Sequence, residues 1–272
     1  MQESRPPTVQ EARPPIIREP RPLTTDEFRF FRYNGFLKLP WRLPAELVEA
    51  IRTQAAHDIE QAVEPLVRDY RGDVMRLSAI WERGGAIREA LGGREVAPAL
   101  QSLLGPDVEY LLNRHNHLTL RRQDDRTAMS IELHRDVGNW SRTICTILFY
   151  LEDTNLENGC TQVIPGSHLL PDFAPGMRAE TDPWWIASGL LEQRISIPMP
   201  AGGLLAIDSM LAHAAGRNRT DGTRMTLTAG YHVVDHHAGA WDPKRVVVCG
   251  ERTYRGNDMR RRRRAEPERA AP

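Results

Sequence analysis

From residue 107 to about residue 234 the chain is a succession of short β-branched and apolar runs. "VEYLLNRHNHLTLR", "SIELHRDV", "TICTILFYLED", "TQVIPGSH", "RISIPM", "GGLLAIDSMLAH" and "RMTLTAGYHVV" are punctuated by Gly, Pro, Asn and Asp. Strands that follow one another without intervening helices fold into two packed sheets, a jelly roll or a sandwich. One interval breaks the rhythm. Residues 171–193, "PDFAPGMRAETDPWWIASGLLEQ", carry three prolines and two glycines, which argue against regular structure throughout. Long insertions of this kind are often lids or binding loops. Trp184 and Trp185 are costly to leave in water, so the segment is expected either to close over a site or to pack on the body of the fold.

Helices are expected ahead of the strands. Thr24-x-x-Glu27 is a capping-box pattern, and the helix it starts should end at Asn34-Gly35. "FLKLP" alternates as a strand does. In "PAELVEAIRTQAAHDIEQAVEPL", Leu47, Ile51, Ala55 and Ile59 recur every four positions and mark one buried face. A further helix around "APALQSLLG" should stop at Gly105-Pro106. Residues 1–23 are Pro-rich and lack apolar periodicity, and residues 257–272 are dominated by arginine. Both read as flexible tails, leaving a single domain over 24–256.

Bulk properties exclude several classes. The formal net charge is zero, so no global field favours nucleic acid or an anionic membrane. No stretch is long and apolar enough to span a bilayer, and the N-terminal residues lack the apolar core of a signal peptide. Cys145, Cys160 and Cys249 show no metal-type spacing, which fits a reducing cytoplasm. There is no Gly-rich phosphate loop, G-x-S-x-G elbow or C-x-x-C.

The chemistry centres on "IELHRDVGNW". On a strand, His134 and Asp136 point to the same face. An aspartate buried alone there is costly, and a divalent metal would account for it. Two histidines and one carboxylate form the facial triad of non-heme Fe(II) oxygenases. The alternative is a strand end meeting solvent. His168, His213, His232, His236 and His237 are candidates for the third ligand. His213 ends a predicted strand; if a hairpin turns near Asn218–Arg219, Arg224 lies opposite it. An arginine beside a metal suits a chelating dicarboxylate, because the guanidinium grips carboxylate bidentately. His168 closes a Pro-Gly-Ser-His turn and reads as structural. Asp235-His236-His237 reads as a polar strand end.

From Thr24 to Val234 the sequence resembles the phytanoyl-CoA dioxygenase family of Fe(II)/2-oxoglutarate oxygenases, which includes ectoine hydroxylase. Three pieces carry the resemblance: the opening "LTTDEFRFFRYNGFLKLP", the Asn-Gly turn and Pro-Gly-Ser-His of "LEDTNLENGCTQVIPGSH", and "GGLLAIDSMLAHAAGRNRTDGTR". The resemblance implies a double-stranded β-helix, mainly β and cupin-like, with flanking α-helices. It implies Fe(II) held by His134, Asp136 and His213, 2-oxoglutarate held by Arg224, and O2 as cosubstrate. Trp140 matches an aromatic of ectoine hydroxylase. Arg76 falls near a cosubstrate-binding lysine of the phytanoyl-CoA enzyme, and Asn116 or Asn113 sits on a strand able to face the iron. Family members often carry a serine two residues after the distal histidine. This chain has Ala215, so a threonine of "TICT" or "TLT" is expected to serve instead. The carboxylate at Asp136 implies oxygenation without halogen transfer. The expected reaction is hydroxylation of a small organic molecule, as in secondary-metabolite tailoring. Desaturation, cyclisation and epimerisation are alternatives at the same iron, and a non-catalytic jelly-roll binding protein is the alternative of another class.

Overall fold

The computed structural model describes residues 19–123, 132–137, 144–173, 178–234 and 244–251. The described residues include five α-helices: α1 (Thr25–Asn34), α2 (Ala45–Glu60), α3 (Gly85–Gly92), α4 (Ala97–Leu104) and α5 (Pro183–Ala187). The strands are β1 (Phe36–Arg42), β2 (Leu66–Arg68), β3 (Val74–Ser78), β4 (Val108–Leu111), β5 (His117–Arg121), β6 (Ile144–Tyr150), β7 (Thr161–Val163), β8 (Ile195–Ile197), β9 (Gly203–Asp208), β10 (His213–Ala215), β11 (Arg224–Val233) and β12 (Arg245–Cys249). The capping box is made: Thr24 accepts from the Glu27 amide, and the Glu27 carboxylate accepts from the Thr24 amide. Gly35 ends α1 at φ 78°, and a Cβ there would collide with the His168 ring.

The strands form two sheets. The larger runs β1-β9-β6-β11-β5-β3-β2, with β4 and β12 added beside β11, and the smaller is β10-β7-β8. Every pairing is antiparallel. Alternation along each strand sends side chains to two different cores. Ile147 and Phe149 of β6, with Leu204 and Ala206 of β9, meet α1–α4. Leu148 and Tyr150, with Leu205 and Ile207, meet Val163 and Ile197 of the small sheet. This is the jelly roll with helices on one outer face that the sequence led us to expect. It places the polar inward residues of β5, β6 and β11 between the sheets.

Two local expectations fail. His134 and Asp136 do not lie on a regular strand, because residue 134 forms only an isolated antiparallel bridge with His213. Val137 then donates to the Ser209 carbonyl, so the segment is tied at two points and bends between them. His213 and Arg224 are not hairpin partners either. The chain crosses between sheets after His213, so β10 pairs with β7, and Arg224 pairs with Arg121 of β5.

Candidate active site

The bridge between residues 134 and 213 builds the site. Each backbone amide donates to the other's carbonyl, at 2.9 and 3.0 Å, which brings the two imidazole rings to 4.4 Å between centroids. Each ring is oriented by a carbonyl two residues back: His134 Nδ1 lies 3.0 Å from Glu132 O, and His213 Nδ1 lies 2.9 Å from Leu211 O. A carbonyl can only accept, so Nδ1 carries the proton and Nε2 keeps its lone pair for a metal. Asp136 Oδ1 is 3.6 Å from His213 Nε2. Donor atoms of His134, Asp136 and His213 all lie within 4.8 Å of one another.

Asp136 is held as firmly as the histidines. Its side chain is 2% exposed. Thr146 Oγ1 donates to its Oδ2 at 2.6 Å and lies 3.0 Å from Ser209 Oγ. Burial alone would raise the carboxyl pKa. His213, His115, His134 and the Thr146 bond override it, lowering the value to about 2. Burial and the neighbouring His213 lower His134 to about 4. Both groups are therefore deprotonated at neutral pH, as metal ligands must be. With Oδ2 occupied by Thr146, the carboxylate offers one oxygen to a metal, which keeps further coordination positions open.

The face of β11 that carries Arg224 and Thr226 is strongly cationic. Arg224 is buried, and burial lowers its pKa. One of its nitrogens donates to the carbonyl of Gly159, while its Nε has no hydrogen-bond partner. Thr226 Oγ1, also buried, has none either. Arg121, likewise buried, sits directly opposite Arg224. The orphaned donors fit a dicarboxylate, and the donor set of two histidines and one carboxylate fits a ferrous ion.

The sequence profile described as phytanoyl-CoA dioxygenase (PhyH) matches residues 31–226. The chain belongs to the phytanoyl-CoA dioxygenase family. It is accordingly an iron- and 2-oxoglutarate-dependent enzyme. It is 25% identical over 223 residues to the dioxygenase lolE1 of Epichloe uncinata, covering 77% of this chain and 83% of lolE1. Among solved structures it superposes on the α-ketoglutarate-dependent epimerase SnoN of nogalamycin biosynthesis with a TM-score of 0.63, 25% identity and coverage of 77% and 82%. EctD of S. alaskensis, crystallised with 2-oxoglutarate and 5-hydroxyectoine, gives a TM-score of 0.64 at 17% identity, with coverage of 85% and 87%.

Within this dioxygenase fold the other expected residues fall in different places. Asn116 is spent on structure: its amide oxygen accepts from the Trp81 amide and the Tyr110 hydroxyl, and its nitrogen donates to Leu112 O. Arg76 is exposed on β3, opposite Thr119. Trp140 and residues 235–237 lie outside the described residues. His168 is structural, with Nε2 3.0 Å from Arg32 O. Of the threonines, Thr146 holds the Asp136 carboxylate, while Thr226 shares a face with Arg224. In the insertion, Trp185 is fully buried beside Leu133 and Ala212, and Trp184 is half-exposed. Arg135, between the two candidate ligands, turns the other way and stacks on Phe173 and Trp185. Sequence reasoning missed His115, whose Nε2 lies 3.2 Å from Asp136 Oδ1. Only its place in the histidine-rich "RHNH" could have hinted at it.

Proposed function

We propose that His134, Asp136 and His213 hold the iron, that Arg224 and Thr226 receive the distal carboxylate of 2-oxoglutarate, and that the enzyme hydroxylates a small organic molecule. The observation that carries this reading is the convergence of two imidazoles and one carboxylate within 4.8 Å, on a fold whose inner sheet face holds a buried arginine with an unpartnered Nε. Iron with 2-oxoglutarate and O2 supplies the oxidising power. The protein's own residues do the rest. Glu132 and Leu211 carbonyls fix the imidazole tautomers, Thr146 keeps Asp136 to one free oxygen, and Arg224 sets the direction in which the cosubstrate enters. The small-molecule site is the space between the sheets that these residues line.

A second outcome is favoured by one observation: the neighbour SnoN is named an epimerase. Epimerisation also starts by removing a substrate hydrogen.

The cosubstrate assignment is tested by O2-dependent conversion of 2-oxoglutarate to succinate. Removing one partner of a buried charged pair costs about 2–5 kcal/mol. Arg224→Ala should therefore raise the 2-oxoglutarate concentration needed for half-maximal turnover about thirtyfold or more. An unchanged requirement would remove Arg224 from the site.

A further inference from the structure

Between β4 and β5 the chain makes a tight turn over residues 112–116, pinned from several sides. Arg114 N donates to Leu111 O at 3.2 Å. Asn116 ties the turn to Trp81, Tyr110 and Leu112. Gly230 of β11 lies directly beneath, and a Cβ there would stand 3.1 Å from Arg114 O. The turn delivers two contacts to a single residue of the other layer. Arg114 Nη1 donates to the Asp136 carbonyl at 2.7 Å, and His115 Nε2 stands 3.2 Å from Asp136 Oδ1. To do this His115 adopts φ 54°, the left-handed region. Such conformations cost free energy in non-glycine residues and gather at functional sites. Glycine would take this conformation without strain but has no imidazole to offer.

We propose that His115 is a positioning residue for the metal site: its Nε2, 3.2 Å from Asp136 Oδ1, confines that oxygen from the side of the turn and leaves it facing the metal. A carboxylate oxygen can accept two bonds. Thr146 already ties Oδ2, so His115 completes the immobilisation of the only acidic ligand. The inference rests on the assignment of His134, Asp136 and His213 as ligands. His115 itself stands outside the compact donor cluster formed by those three residues.

The test uses the full-length metal-free protein and cobalt(II) alone. Affinity is read by competition with a chromophoric chelator, and melting temperature is recorded in parallel. Losing a residue that orients a ligand typically weakens metal affinity 10–100-fold. H115G should therefore bind cobalt about 10–100-fold more weakly, yet melt within a few degrees of the wild type because glycine relieves the strain. H115Q retains an N–H donor and should recover most of the affinity. Wild-type affinity in H115G would overturn the proposal. A loss in H115Q as deep as that in H213A would also overturn it, by making the imidazole itself a ligand. Wild-type binding by H213A would instead overturn the ligand assignment on which the proposal stands.

Discussion

His134 and Asp136 differ from a solvent-exposed pair in how their protons are held. Burial lowers His134 from its ordinary 6.5 to about 4. It also lowers His117, on the inner face of β5, from 6.5 to about 3, with His115 and Arg76 adding to the effect. In both, the folded pKa lies below the unfolded one, so between those values the unfolded chain binds protons that the fold refuses. Stability is then complete above about pH 6.5 and falls as the pH drops toward 4. Asp136 works in the same direction at lower pH, between its ordinary 3.8 and about 2. The metal-free protein should unfold at lower urea concentration at about pH 5 than at about pH 7.5. An unchanged midpoint would mean that these imidazoles are not buried neutral. His134 and Asp136 stood out in the sequence as candidate ligands, because a histidine and an aspartate two apart amid apolar runs need a reason. His115 and Thr146 were not, since each acts through Asp136 across 21 and 10 residues of chain, a relation that no local pattern encodes.

At the scale of elements, the insertion matters through its anchoring. Asp182 caps α5 by accepting from the Trp184 and Trp185 amides. The helix then sets Trp185 against Leu133, Ala212 and Ala214, on the far side of the metal-ligand segment. Glu180 accepts from the Leu133 amide at 3.0 Å and reinforces the same contact. Trp185 thus backs the strand-like bridge between His134 and His213, which accounts for its burial without any closing motion. Truncating a fully buried tryptophan costs about 3–5 kcal/mol, whereas a half-exposed one away from special contacts costs about 0.5 kcal/mol. Urea denaturation should separate Trp185→Ala from Trp184→Ala by that margin, and equal losses would show that the two residues share one environment. The strands of this fold announced themselves as short β-branched and apolar runs between turn residues, and α1 by its capping box. The crossing of the chain between sheets after His213 was hidden. The Asp-Gly signal at 221–222 is local, and the register that places Arg224 opposite Arg121 is set by partners a hundred residues away.

Across the whole molecule, one large sheet carries two kinds of surface. Its outer face, with Leu118, Leu227 and Ile147, is buried under α1–α4. Its inner face carries Thr146, Thr226, Arg121 and Arg224 toward the small sheet. The small sheet in turn presents His213 to His134. The jelly roll therefore brings together one candidate ligand on the β10 edge and two on a tied loop, with their supports on β6 and on the turn before β5. His134, Asp136 and His213 are expected to hold one ferrous ion between them, and anaerobic titration of the metal-free protein with Fe(II), read by calorimetry, measures this. The wild type should bind one ion per chain, and His134→Ala, Asp136→Ala and His213→Ala should each abolish stoichiometric binding while His168→Ala and His232→Ala retain it. Stoichiometric binding by His213→Ala, together with its loss in His168→Ala or His232→Ala, would contradict it.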